Sequence, residues 1–152
     1  DEWVHVGVDG DLPATGGVIV PLARWLASRD QLLARKAPLG VRLASSESPE
    51  KIRNDLGRFD LIALEFPIFR DGRAYSQAVL LRGRVRYPGR LIATGEVLAD
   101  MLPLLRRCGF DAVRLRADQN PQTARRTLGF DALPYQGDVT GRRAPFINTA
   151  TA

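Results

Sequence analysis

The chain has 152 residues, a formal net charge of +5 and 45% apolar residues, values that suit one soluble globular domain with a sizeable core. No apolar run approaches the ~18 residues that read as a membrane span, and the single cysteine and single histidine, Cys108 and His5, exclude an intrachain disulfide and an internal Cys/His zinc cluster. Only Lys36 and Lys51 interrupt an otherwise all-arginine positive charge, scattered in pairs without an aromatic-interleaved stripe, so a nucleic-acid partner is not expected, while the net charge permits attraction to acidic partners.

Trp3-Val4-His5-Val6 opens the chain as an arm or edge strand. After the breaker Gly16-Gly17, Val18-Ile19-Val20 is a short strand, and Pro21 suits the first turn of a helix over about 21–35. Leu22, Trp25, Leu26, Leu32 and Leu33 recur there at helical spacing, with Trp25 inward or, alternatively, in a dimer contact. Leu39–Leu43 is the next strand; Ser48 caps a short helix that begins at Pro49. Leu61–Phe66 is the strongest buried-strand signal, apolar almost throughout, as a covered parallel sheet requires. A helix over about 74–86 comes next, then a strand at Arg90–Thr94 and a helix opened by Glu96. Val97, Met101, Leu104 and Leu105 give that helix its inward face, and Gly109 ends it. Phe110–Leu115 is a further strand, Asn120 caps a helix over 121–128, and residues 130–135 add a last strand or lie over the core.

Repeated strand-to-helix units predict βαβ topology with right-handed crossovers. The expected fold is α/β: three layers, α/β/α, around a mostly parallel sheet of four or five strands. The same local rhythm also serves a partial open β/α barrel. The expected organisation is an N-terminal arm over 1–17, one α/β domain over 18–136 and a fraying tail over 137–152, in a cytoplasmic protein.

Phe66-Pro67-Ile68-Phe69-Arg70-Asp71-Gly72-Arg73-Ala74-Tyr75-Ser76 joins the strongest strand to a helix. Parallel α/β sheets bind ligands at the carboxyl ends of their strands, so this turn is the candidate site. Asp71-Gly72 suits a tight turn. Arg73 at the helix entrance and Ser76 one turn in could hold sulfate, phosphate or carboxylate, with Asp71 orienting Arg73 or capping the turn. Tyr75 either stacks on a planar ligand or lines the core, and Arg82 either reaches the site or forms an ion pair. Gly95 and Glu96 repeat the arrangement at the next strand end. Asp100, four residues on, shares a helix face with Glu96 and could join it in holding a cation or a proton. Cys108 beside Arg106-Arg107 is a candidate reactive thiol, although a helix C-terminus disfavours an anion. No intrinsic cofactor or metal is expected. The chain has neither a Gly-x-Gly-x-x-Gly fingerprint, a phosphate-binding Gly-rich loop ending in Lys-Ser/Thr, nor a Gly-x-Ser-x-Gly elbow.

The Phe66–Ser76 block, with Gly40-Val41-Arg42-Leu43, Leu80-Leu81-Arg82, Gly95–Asp100, Arg107-Cys108-Gly109-Phe110-Asp111-Ala112 and Tyr135-Gln136, resembles the bacterial DUF934 family over about 18–136. This sequence departs from the family at Glu96, where Asp is usual, and at Met101, where Gln is usual. The resemblance implies an accessory protein of assimilatory sulfate or sulfite reduction that binds a small oxyanion or sulfur metabolite. Its implied partner is a sulfite reductase or an adenylylsulfate-type reductase. The family label of oxidoreductase implies the alternative, a partner-dependent enzyme using a borrowed electron carrier. A homodimer or a purely structural homo-oligomer is a further alternative.

Overall fold

Alternation of apolar side chains along each strand builds a sheet with two different faces. The computed structural model describes residues 3–128 and 132–134. Its strands are β1 (Trp3–His5), β2 (Gly17–Pro21), β3 (Leu39–Leu43), β4 (Leu61–Phe66), β5 (Arg90–Gly95), β6 (Ala112–Leu115) and β7 (Ala132–Pro134). They lie side by side in chain order, and every neighbouring pair is parallel. The connections carry α1 (Leu22–Ala34), a 3₁₀ helix (Pro49–Arg58), α2 (Arg73–Val79), α3 (Leu102–Arg107) and α4 (Pro121–Leu128).

A strand order without reversal sends every right-handed crossover to the same side of the sheet. The packing agrees. Val18, Val41, Ile62, Leu64, Leu91 and Val113 join helical Trp25, Ile52, Ala78, Leu81 and Leu105 in the main core. The alternate residues Ile19, Leu61, Ala63, Ile92 and Ala112 form a separate cluster with Trp3, and it contains no described helical residue. The sheet is parallel as expected, but among the described residues it has seven strands, not four or five. One helical layer replaces the two of a three-layer sandwich. The fold is the alternative architecture, a partial open barrel with its described helices outside.

The curl has an electrostatic signature. In a flat sheet β1 and β6 would stand about 24 Å apart, five spacings of ~4.8 Å. The half-barrel curl shortens that distance, and after burial the Arg114 guanidinium on β6 is among the causes that lower the pKa of His5 on β1.

The N-terminal stretch is an edge strand and not a free arm, because Trp3–His5 pairs with Gly17–Ile19. The Trp3 ring fills the space where a Cβ on Gly17 would lie, within 2.7 Å. Trp25 is fully buried, donates from Nε1 to Asp55 Oδ2 at 3.2 Å and meets Phe59 edge to face at 4.8 Å. That commits it to this chain's interior and away from a dimer surface. Ser48 caps as read, its Oγ accepting from Glu50 N, but the helix it opens is 3₁₀ throughout. Asn120 caps α4 by accepting from Gln122 N. The expected tail over 137–152 lies outside the described residues. Among those described, no helix is long and apolar enough to cross a membrane.

Candidate functional site

The carboxyl end of β4 delivers the chain into the Phe66–Gly72 turn, where Asp71 fixes the geometry. Its Oδ1 accepts from the Arg73 backbone N–H at 3.0 Å, the local closure that makes Asp favourable before a helix. The same carboxylate grips the Arg73 side chain, with Nε at 3.0 and 3.2 Å from the two oxygens and Nη2 at 2.7 Å. Ser45, from the loop after β3, donates its hydroxyl to Asp71 Oδ2 at 2.9 Å. These donors hold the Asp71 carboxyl well below the usual carboxylate range, with the Arg73 side chain the largest cause. Arg73 is thus oriented by Asp71, as the sequence reading has it, and Nη1 has no hydrogen-bond partner among the described residues.

A second connection joins the two strand ends. Gln77, 5% exposed, donates from Nε2 to the carbonyls of Ala44 and Glu47 at 2.8 and 2.7 Å. Two carbonyl acceptors fix which end of the amide is which, so Oε1 faces elsewhere, buried and without a partner among the described residues. Glu47 Oε1 in turn accepts from Ala44 N at 2.7 Å and closes the loop on itself. Between this loop and α2 lies an open cleft of about 270 Å³, lined by Ser45, Ser46, Ser48, Arg73, Ser76 and Gln77 with Glu47, Pro49 and Leu80. The cleft sits on the carboxyl ends of β3 and β4, the position parallel β/α architectures use for ligands.

Of the other expected residues, Gly72 forms the turn before α2. Tyr75 lies elsewhere: it is half-buried, meets Phe66 edge to face at 5.1 Å, and has its phenol pushed up by burial and by the adjacent Cys108. Tyr75 therefore lines the core side of α2. The Cys108 thiol is itself pushed up by burial, against a weaker downward pull from Arg107, so it stays protonated at neutral pH.

Gly95 and Glu96 occupy the same carboxyl rim at β5. Gly95 has φ +89°, and Glu96 N donates to Phe66 O at 2.8 Å. The Glu96 carboxylate accepts from Arg116 Nη1 at 2.9 Å, and Arg116 also grips Asp118. The expectation that Glu96 opens a helix and shares its face with Asp100 is corrected. Leu98 is extended, and helical structure starts only with the 3₁₀ turn Ala99–Met101. Asp100 is exposed in that turn, while Met101 Sδ accepts from Leu98 N.

Arg82 does not join the cleft. After Val79 the helix widens into a π turn, Leu80–Arg84, which rotates its side chains away from their ideal helical directions. Arg82 Nε donates to Gly109 O at 2.9 Å, and Nη1 donates to Tyr87 O and Gly89 O at 2.8 and 2.7 Å. Nη2 donates to Asp111. Asp111 also accepts from Leu91 N, at the start of β5, so this cluster stands at the amino ends of the strands. A cleft of about 650 Å³ opens beside it, lined by Asp60, Pro88, Gly89, Arg90 and Asp111. It is the larger cleft, but Arg82 spends its donors on the fold there. The smaller serine-lined cleft keeps Arg73 Nη1 and the Ser46 and Ser76 hydroxyls without hydrogen-bond partners among the described residues.

Ser45, Ser46 and Gln77 are residues of this cleft outside the sequence-based candidates. Their signals were a Ser-Ser-Glu-Ser run at the carboxyl end of a strand and a glutamine beside Ala78 on the inward face of a helix. Among the described residues, no three His, Cys, Asp or Glu side chains converge as a metal site would require. A family model described as a bacterial protein of unknown function (DUF934) matches residues 40–146, a span that includes the whole cleft. No curated protein and no solved structure matches the chain.

Proposed function

The chain belongs to the DUF934 family, and we propose that it is a small-oxyanion-binding protein whose site is the serine-lined cleft at the carboxyl ends of β3 and β4. The observation that carries this reading is Arg73: Asp71 holds it in one direction while Nη1 and the neighbouring hydroxyls of Ser46 and Ser76 stay available. A guanidinium edge with hydroxyl donors suits a tetrahedral or pyramidal oxyanion. Because Asp71 already neutralises Arg73 locally, the anion is held by hydrogen-bond geometry as much as by charge, and release is easy. That favours a carrier or sensor over a tight store.

The family resemblance points this chemistry at sulfite, sulfate or an adenylylsulfate, in an accessory role beside a sulfite reductase or an adenylylsulfate-type reductase. The reading as a partner-dependent oxidoreductase rests on the resemblance alone. Cys108, with a thiol pushed up by burial, supplies it with no ready nucleophile.

Calorimetric titration with sulfite, sulfate and adenylylsulfate tests the proposal. The expected result is binding of at least one of them by the wild type and a tenfold or greater loss in Arg73→Gln, the size of one charge-assisted hydrogen bond. Equal binding by both proteins, or binding by neither, would overturn it.

A further inference from the structure

The serine-lined cleft has an apolar wall as well as donors. From the helical side it is lined by Arg73, Ser76, Gln77 and Leu80. Offsets of three, four and seven residues put these on one helix face, and at ~1.5 Å per residue the stripe runs about 10 Å from Arg73 to Leu80. The donors that this stripe offers an oxyanion, Arg73 Nη1 and the Ser76 hydroxyl, stand in its first turn. Gln77 gives its Nε2 to the carbonyls of Ala44 and Glu47 and adds no donor beyond them.

Leu80 ends the stripe. It is half-buried, yet among the described residues it joins neither core cluster, so its apolar surface serves the cleft. Pro49, on the facing loop, is apolar too and has no N–H. A bare tetrahedral ion, four oxygens on one centre, is satisfied at the Arg73 end and leaves Leu80 and Pro49 facing water. The cleft, about 270 Å³, has room for more than such an ion.

Charge sets a further limit. Asp71 already pairs with Arg73, and Glu47 adds a carboxylate to the lining. A head with one negative charge therefore fits better than a phosphate ester, which carries about −1.5 to −2 at neutral pH.

We infer that the cleft takes an organic oxyanion of single charge, a sulfonate or sulfate ester, with its head at Arg73 and a short apolar carbon chain along Leu80 and Pro49. The inference rests on the oxyanion reading of Arg73 and adds the chain. Inorganic ions then occupy the head position alone and bind more weakly than the organic ligand.

Calorimetric titration of the full chain with sulfate, methanesulfonate, propanesulfonate and pentanesulfonate tests it. Full burial of a methylene is worth about fourfold in affinity. An open cleft realises part of that, so pentanesulfonate is expected to bind roughly tenfold or more tightly than methanesulfonate. Leu80→Ser should flatten the series and leave sulfate and methanesulfonate binding unchanged, whereas Arg73→Gln should weaken every member. The wild-type series needs no variant, and Leu80→Ala gives a milder truncation should the serine destabilise the helix. Binding of sulfate and all sulfonates with equal affinity would overturn the carbon chain and leave the oxyanion site standing; binding of none would overturn both. A chain-length gain that survives both Leu80 variants, or pentanol binding as tightly as pentanesulfonate, would also overturn the inference. Tighter binding of pentyl phosphate or pentanoate would overturn the choice of head.

Discussion

Replacing Arg82 by alanine is expected to destabilise the fold by about 2–4 kcal/mol while leaving the serine-lined cleft intact. The side chain is 24% exposed and unites four groups from two other chain segments: the carbonyls of Tyr87 and Gly89, and the carbonyl of Gly109 with the carboxylate of Asp111. Truncation removes the donors that tie those two segments together at the amino ends of β5 and β6. Arg82→Lys should recover less than half of the loss, because an ammonium cannot span acceptors set around a planar fork. Urea unfolding, with the midpoint lowered and the slope unchanged, is the measurement. A loss below about 0.5 kcal/mol would place Arg82 among ordinary surface residues.

Gly95→Ala is expected to cost about 3 kcal/mol or more, and here the site should suffer with the fold. The backbone at Gly95 has φ +89°, a region that charges an L-residue about 1–2 kcal/mol before any contact is counted. A Cβ would also lie 2.4 Å from the Phe66 carbonyl oxygen, the atom that accepts from Glu96 N. Relief requires β4 and β5 to separate at their carboxyl ends, directly beneath the Phe66–Gly72 turn. The variant should therefore unfold at lower urea and bind anions more weakly when folded. An alanine variant with wild-type stability would mean that the rim is far more pliable than close packing allows.

What the sequence made legible was local. The order of apolar strand, Asp-Gly turn and helix at Leu61–Val79 could be read because each step has its own residue chemistry: β-branched and leucine-rich burial, a turn carboxylate, then amphipathic spacing. The placement of Asp71 and Arg73 at a strand's carboxyl end came from that order. What was not legible depends on distant pairing. One helical layer and two share the same βαβ rhythm, and only strand order separates them. A hint existed in Gly40, Ala63 and Ala112, small residues on the side of the sheet that curls inward, but spacing alone does not say which side that is.

For Arg82 the sequence leaves two readings open, reach to the site or an ion pair, and the structure holds the ion pair, with Asp111. The π turn over Leu80–Arg84 that helps to aim it has no proline to announce it. Glu96 and Asp100 were set on one helix face because Gly95 looked like a direct strand-to-helix junction. The extended residue Leu98 intervenes, and neither Gly nor Pro marks it. Nothing near His5 in sequence orients an imidazole; its hydrogen-bond partner, Arg42, comes from β3.

The proposed oxyanion site lies where Asp71 aims Arg73 across the serine loop. Amide chemical-shift mapping of the ¹⁵N-labelled chain during titration with sulfite and sulfate is the decisive test of it. Saturable shifts confined to Ser45–Ser48 and Arg73–Gln77 are expected, with the Arg73 side-chain resonance moving in step. Shifts that gather at Arg82, Arg90 and Asp111, or that never saturate at any residue of the cleft, would contradict it.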